Sequence, residues 1–301
     1  MDVGVIGVGS MGKNHVRVYS ELKSVDAVHI FDVNTTAAAA VGEQHGATAH
    51  ETIPGLLGAV DAVSVCVPTP LHTQVVQEVF ARKRSVLIEK PLSATSAEAA
   101  DLMRSAPAGI VIGVGHIERF NPIVAEIKKI IRHPLYVEMK RHNPTSSRVT
   151  GSTVVEDLMI HDIDILLSLF CHPSEIHSAG NADVCSALMK CGKIPVSLSA
   201  SRKSSKKIRM IYIEEEDFTI EGDFMAQEVT IYRKPGQYQF EAERYVQENI
   251  IEKVMVNKLE PLKRELFEFV DCVESGRPFP ITPDQAIDNL KMCERILADL
   301  N

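Results

Sequence analysis

The six cysteines (Cys66, Cys171, Cys185, Cys191, Cys272, Cys293) include no C-x-x-C pair. That absence argues against a disulfide framework and a zinc site, and fits free thiols in a reducing cytoplasm. No apolar run reaches the roughly 18 residues that span a bilayer. The start "MDVGVIGVGS" has no basic run ahead of an apolar stretch, so neither a membrane location nor a signal peptide is expected. Basic charge is in deficit: 32 Lys and Arg stand against 40 Asp and Glu, for a formal net charge of −8. Nucleic acid and anionic membrane, which need a basic surface, drop out as general partners. There is no internal repeat and no low-complexity linker. What remains is a chain of 301 residues, 45% apolar and 24% charged, ordinary for a soluble protein and long enough for two domains.

The first 120 residues alternate β-rich runs with helix-like ones. "VGVIGV" (3–8), "AVHIFD" (27–32), "AVSVCV" (62–67), "SVLIEK" (85–90) and "IVIGVG" (110–115) are the strand candidates. Several are apolar throughout, as in a parallel sheet covered on both faces. Helical stretches lie between them at about 11–22, 35–45, 70–82 and 95–105. The alternation predicts an α/β fold: a doubly wound domain over 1–121. After Pro122 the text changes. An amphipathic helix (123–132), a strand (135–142), a polar loop (143–153) and a helix lead into strand after strand from about 174 to 233, and helices close the chain. Residues 122–301 are read as an α+β domain with a large mixed or antiparallel sheet. One face of that sheet is not obviously covered, which predicts a homodimer or homotetramer.

The helix "EDLMIHDIDILLS" (156–168) carries Asp157, His161, Asp162 and Asp164 in a setting otherwise full of Leu, Ile and Met. At 100° per residue, Asp157, His161, Asp164 and Ser168 fall within about 60° of one another, and Asp162 points elsewhere. Such a stripe fits a metal site, a catalytic site or a wet groove. The metal reading needs further ligands and lacks a second nearby histidine, so no metal is expected.

Gly7, Gly9 and Gly12 form G-x-G-x-x-G directly after a strand and at the opening of a helix, and Asp32 follows Gly12 by 20 residues. In this context the pattern is a dinucleotide fingerprint of the Rossmann type. The turn Gly7, Gly9, Ser10, Met11 and Gly12 would let the backbone approach a diphosphate, whose charge meets the amides of the helix start. Asp32 would accept hydrogen bonds from both ribose hydroxyls and repel a 2′-phosphate. No Arg or Lys follows within several residues to welcome one. The cofactor expected is NAD. The alternative is a glycine-rich turn with no ligand.

Further pieces are "VCVPTPLH" (65–72), "EKP" (89–91), "GHIERFNP" (115–122), the D-x-x-x-H of Asp157 and His161, and the C-terminal "FVDCVESGRPFPITPDQAIDNLKMCE". In this order they resemble the glucose–fructose oxidoreductase and inositol dehydrogenase superfamily, Gfo/Idh/MocA, over the whole chain. "GHIERFNP" and "ASRKSSKKIR" are most similar to its nucleotide-sugar members, such as the UDP-N-acetylglucosamine 3-dehydrogenases. The resemblance implies oxidation of a hydroxyl of a sugar, cyclitol or sugar nucleotide with bound NAD or NADP. It assigns Lys90, Asp157 and His161 to catalysis. It puts Pro68, His72, Glu89 and Lys90 near the dinucleotide. Two departures stand out. Only Gly151 precedes the aspartate, in "TGSTVVED", where the family often has two or more glycines. Pro70 follows Thr69 where many members have Asn.

Alcohol oxidation needs a base for the hydroxyl proton and stabilisation of the growing alkoxide. His161 has the intrinsic pKa of a base. Lys90 suits the alkoxide, or is itself the base if desolvated. Asp157 could fix the His161 tautomer or hold a neighbouring sugar hydroxyl. Arg119, Asn121 and Arg148 join Lys90, Asp157 and His161 as substrate-binding candidates, Arg148 for a diphosphate. The plainer readings are a solvated lysine, a satisfied histidine, a salt bridge for Arg119 and a solvated loop arginine for Arg148. Lys203, Lys206, Lys207 and Arg209 read as a solvated face or subunit contact. Two readings compete with a nucleotide-sugar dehydrogenase: a dehydrogenase of free sugars or inositol, and a non-catalytic NAD-binding sensor.

Overall fold

In the computed structural model, residues 1–144, 151–234, 238–241, 244–247 and 250–300 are described. The chain divides into two compact units, Met1–Ile117 with Glu260–Lys291 and Glu118–Leu259 with Met292–Asn301.

The first unit alternates β1 (Asp2–Ile6), α1 (Gly12–Glu21), β2 (Ala27–Phe31), α2 (Thr35–His45), β3 (Thr48–Ala49), α3 (Ile53–Ala59), β4 (Ala62–Val65), α4 (His72–Ala81), β5 (Ser85–Glu89), α5 (Ser96–Arg104) and β6 (Ile112–Gly115). Its strands pair in parallel in the order β3-β2-β1-β4-β5-β6. The order reverses between β1 and β4, the point where open α/β sheets bind ligands beyond their strand ends. Every residue of β4 and β5 is buried. This explains why these runs are apolar throughout instead of alternating. Three helices start on a side-chain cap: Asn34, Thr52 and Thr95 accept from the N–H groups of Ala37, Gly55 and Glu98. Helix α3 falls outside the helical stretches read from the sequence, and it contains Pro54, Gly55 and Gly58, residues that normally break a helix. The Thr52 cap, Pro54 in the first turn and the burial of Leu56 and Leu57 account for it.

The second unit opens with α6 (Pro122–Ile130) and β7 (Tyr136–His142). A π-helical turn, Val155–Met159, runs into α7 (Ile160–Leu169). Then come β8 (Glu175–Gly180), β9 (Val184–Cys191), β10 (Ile194–Ser201), β11 (Ile208–Glu214), β12 (Phe218–Asp223), β13 (Glu228–Arg233), β14 (Tyr238–Glu241), β15 (Arg244–Gln247) and β16 (Ile250–Val254). Eight strands form one mixed sheet, β16-β13-β12-β11-β7-β10-β9-β8, in which β7 and β10 are parallel and the other neighbours antiparallel. Strand β9 alternates exposed and buried at every position, as a sheet with one face on the core requires. The core gathers Ile123, Val137, Met139, Ile160, Ile163, Leu198, Ile211 and Ile220.

Helices α8 (Pro261–Ser275) and α9 (Pro283–Asp299) close the chain. The sequence groups α8 with the second half, but residues 260–291 belong to the first unit. Helix α8 packs on α1, with Lys263 paired to Glu21 at 2.8 Å and Arg17 to Glu260. Phe279 fills the space that a Cβ on Gly113 would need, at 2.5 Å.

Charge also enters the second core. Arg141, 1% exposed, donates through Nε and Nη2 to Asp162 at 2.9 and 2.7 Å and through Nη1 to Glu118 at 2.8 Å. Arg209 reaches the same Glu118 oxygen at 2.8 Å. Removing one partner of a buried ion pair strands the others. Arg141→Ala should therefore cost about 3–5 kcal/mol of stability in urea unfolding. A loss below about 1 kcal/mol would contradict this account of the network.

Candidate functional site

In the first unit the glycine turn is built as the fingerprint predicts. Gly7 has φ +91°, and a Cβ there would lie 2.9 Å from the Cys66 backbone. A Cβ on Gly12 would lie 1.8 Å from the Gly7 carbonyl oxygen. These two positions are fixed by the protein's own packing. Around Gly9 nothing lies within 4 Å of a Cβ position, so its backbone faces open space where a diphosphate can approach. Helix α1 has no side-chain cap and no acid in its first turn, which leaves its positive end to an anion. The Asp32 carboxylate accepts from Val8 N–H at 2.7 Å and Asn34 N–H at 2.8 Å. It is held at the strand end with lone pairs to spare for ribose hydroxyls. These features fit NAD.

Several expected cofactor residues do structural work as well. His72 lies with its ring nitrogens 2.9 Å from the Val67 carbonyl oxygen and 3.3 Å from that of Leu92, tying the end of β4 to the chain beyond Lys90. Burial lowers its pKa against the pull of those carbonyls and Glu89. Pro68 leads into a single 3-10 turn, Thr69–Leu71. Glu89 is buried and 2.8 Å from His15 Nε2. Burial raises the Glu89 carboxyl, but the His15 hydrogen bond and charge and the Lys90 charge outweigh it and hold the group below its ordinary value. Lys90 follows, half-buried, joined to Pro91 by a cis peptide. His15, Cys66 and Glu89 bring three potential ligand atoms within 4.8 Å of one another. The His15–Glu89 hydrogen bond already occupies two of them, and burial pushes the Cys66 thiol well up, toward the neutral form.

In the second unit Thr153 and Glu156 open the polar helix. Thr153 N–H and hydroxyl both donate to Glu156 at 2.8 Å, and Glu156 N–H returns to Thr153 Oγ1 at 3.4 Å, a capping box. Asp157 lies in the π-helical turn and His161 in the first turn of α7, both half-buried. A π turn is a recurrent device at functional sites. It also breaks the 100° step between Asp157 and the rest of the expected stripe. The stripe's far end is otherwise committed. Asp164 accepts from Arg119 Nε at 2.9 Å and from its Nη2, and the Ser168 hydroxyl donates to the Ile165 carbonyl at 3.0 Å. Asp162, on another face, takes Arg141; burial raises its carboxyl against that pull. Burial likewise works to raise Glu118, but Arg141 and Arg209 bring it below its ordinary value.

Of the expected substrate residues, Arg119 is thus engaged by Asp164. Asn121 caps α6, accepting from Ile123 N–H at 3.4 Å and donating to the Phe224 carbonyl at 3.0 Å. Arg148 lies outside the described residues. In the basic cluster, Lys203 pairs with Asp183 at 3.0 Å. Lys206, Lys207 and Arg209 share a cavity of about 360 Å³ with Glu221, Asp223 and Glu228. No motif singles out Arg141, Arg202 or the ion-pair role of Arg209. Strand phase does: Val137-Met139-Arg141, Leu198-Ala200-Arg202 and Arg209-Ile211-Ile213 each put an arginine in step with inward-facing residues.

Residues 1–119 match the Gfo/Idh/MocA model, described as an oxidoreductase family with an NAD-binding Rossmann fold. The chain is 31% identical over 288 residues to the UDP-N-acetylglucosamine 3-dehydrogenase of Acidithiobacillus ferrooxidans, covering 92% of this chain and 90% of that one. A solved structure of that enzyme superposes with a TM-score of 0.88, at 27% identity, over 100% of this chain and 97% of the other. The inositol 2-dehydrogenase of Acidothermus cellulolyticus is 29% identical over 182 residues, covering 56% of this chain and 53% of its own. A levoglucosan dehydrogenase in complex with NADH and levoglucosan shares the fold, with a TM-score of 0.83 at 17% identity over 99% of this chain and 96% of that one.

The depressed Glu89 carboxyl fixes a pH dependence. Its stabilising contribution is fully present above the ordinary value of 4.5 and is lost as pH falls through the lower folded value. Thermal unfolding followed from neutral pH to below 4.5 should show an acid loss that Glu89→Gln reduces. Identical pH profiles for the two proteins would contradict the His15–Glu89 pairing.

Proposed function

The chain belongs to the Gfo/Idh/MocA family of NAD-dependent oxidoreductases, and from that premise we propose that it oxidises a secondary hydroxyl of a sugar nucleotide, C3 of UDP-N-acetylglucosamine, to the 3-keto sugar. One observation carries the choice of substrate. The likeness to a UDP-N-acetylglucosamine 3-dehydrogenase runs through nine-tenths of both chains, whereas the likeness to an inositol 2-dehydrogenase covers little more than half.

NAD, when bound, supplies the carbon that accepts hydride. The glycine turn and the start of α1 would hold its diphosphate, and Asp32 would hold its adenosine ribose. On the substrate, the carbinol C–H bond would break with its electron pair leaving as the hydride that NAD would accept, the O–H proton would leave, and C=O would form. His161 takes that proton. Lys90 places positive charge beside the oxygen as alkoxide character develops, and Asp157 orients His161 or a neighbouring hydroxyl. A sensor that only bound NAD would have no use for this base-and-charge set. Arg119 and Asn121 brace the protein rather than hold substrate in this reading, and Arg148 is a candidate for the diphosphate.

We also infer a homodimer or homotetramer in the cytoplasm, formed through the outer face of the eight-stranded sheet. Leu188 and Tyr232 are exposed there. No helix among the described residues is long and apolar enough to cross a membrane.

Steady-state NAD reduction with UDP-N-acetylglucosamine, against inositol and glucose, tests the substrate. Turnover confined to inositol or glucose would favour the free-sugar reading, and no NAD reduction with any nucleotide sugar would sink the proposal. Lys90→Ala should lower kcat by roughly 100-fold or more while NAD still binds. Full activity in that variant would refute the role given to Lys90.

A further inference from the structure

Asp157 has a partner that no sequence motif names. Arg202 directly follows β10 and is 4% exposed. Its Nη1 donates to the Ser152 carbonyl at 2.9 Å. Its Nη2 faces three acceptors: the Thr153 carbonyl at 3.1 Å, Asp157 Oδ2 at 3.2 Å and Ser152 Oγ at 3.3 Å. The backbone of Arg202 is also fixed, its N–H donating to the Asp183 carbonyl at 2.9 Å.

A cation is poorly placed here on general grounds. The start of a helix carries positive partial charge, and a buried guanidinium has lost the water that solvated it. The four acceptors offset both costs, and Asp157 is the charged one among them. Glu156, the other acid of this turn, bonds to Thr153 in the capping box. Two carbonyls, a hydroxyl and a carboxylate arranged around a fork suit arginine; a lysine ammonium is a single point.

We propose that Arg202 is a positioning residue for the dehydrogenase reaction. One guanidinium holds the Asp157 carboxylate and pins the turn at Ser152 and Thr153, so the start of the polar helix, Asp157 and then His161, keeps a fixed orientation. The inference rests on the catalytic roles proposed above for Asp157 and His161.

The test compares Arg202→Gln, Arg202→Lys, Asp157→Asn and the double variant Arg202→Gln/Asp157→Asn. Arg202→Gln should lower kcat by roughly 100-fold, the effect of a misplaced catalytic group, with the Kd for NAD unchanged. Arg202→Lys should recover part of that loss. The double variant should lose clearly less than the two single losses combined, because part of what Arg202 does is to hold Asp157. Fully additive losses would overturn the proposal. Amide hydrogen exchange over residues 153–161 gives a readout that needs no turnover. Faster exchange there in Arg202→Gln supports the hold, and unchanged exchange overturns it. A wild-type protein inactive on every nucleotide sugar would sink the substrate reading, while the exchange result would still decide the role of Arg202. If Arg202→Gln does not fold, Arg202→Lys carries the same kinetic and exchange comparison.

Discussion

Aspartates near and within α7 must be paired if they are to stay charged away from water, and each is met by an arginine from elsewhere in its unit. Asp157 meets Arg202, Asp162 meets Arg141 and Asp164 meets Arg119. Asp162 and Asp164 lie about 200° apart around an α-helix, so their arginines grip it from opposite sides. A helix held in this way cannot rotate without stranding a buried charge, a much larger penalty than the loss of a few apolar contacts. The half-buried face that carries Asp157 and His161 inherits that rigidity. Arg141 serves Glu118 as well, which ties the same helix to the turn preceding α6.

The nucleotide half reaches its precision by steric means. Gly7 and Gly12 are glycine because the turn and the helix–strand approach leave no volume for a Cβ. Gly9 differs, since a side chain there would meet nothing of the protein, and its smallness serves whatever approaches from outside. Asp32 is fixed by two backbone N–H groups, so its carboxylate is already oriented before any ribose arrives. Beneath the turn, the buried His15–Glu89 pair anchors the strand end from which Lys90 emerges.

Much of this was legible in the sequence, for physical reasons. A parallel sheet buried on both faces leaves continuous apolar runs, and the glycine pattern with its distant aspartate is local enough to read directly. Alternating strands similarly betray a sheet with one face on the core. Three things were hidden. Helix α3 contains residues that normally break helices and stands on a single threonine cap and two buried leucines. Helix α8 packs on α1, more than 200 residues earlier in the chain, which no local pattern encodes. The angular stripe drawn from a uniform helix takes no account of the π-helical turn, and it could not show that Asp164 is occupied by Arg119. The arginines were visible only as charges in step with inward-facing strand residues, a weak signal until the matching aspartates are known.

The proposed step is hydride transfer from C3 of the sugar in UDP-N-acetylglucosamine to NAD. The most direct measurement uses substrate deuterated at that carbon and follows the label by mass spectrometry. Deuterium is expected in the reduced cofactor, together with a 3-keto sugar nucleotide that has lost it. Reduced cofactor free of deuterium, with the label retained in the sugar product, would contradict it.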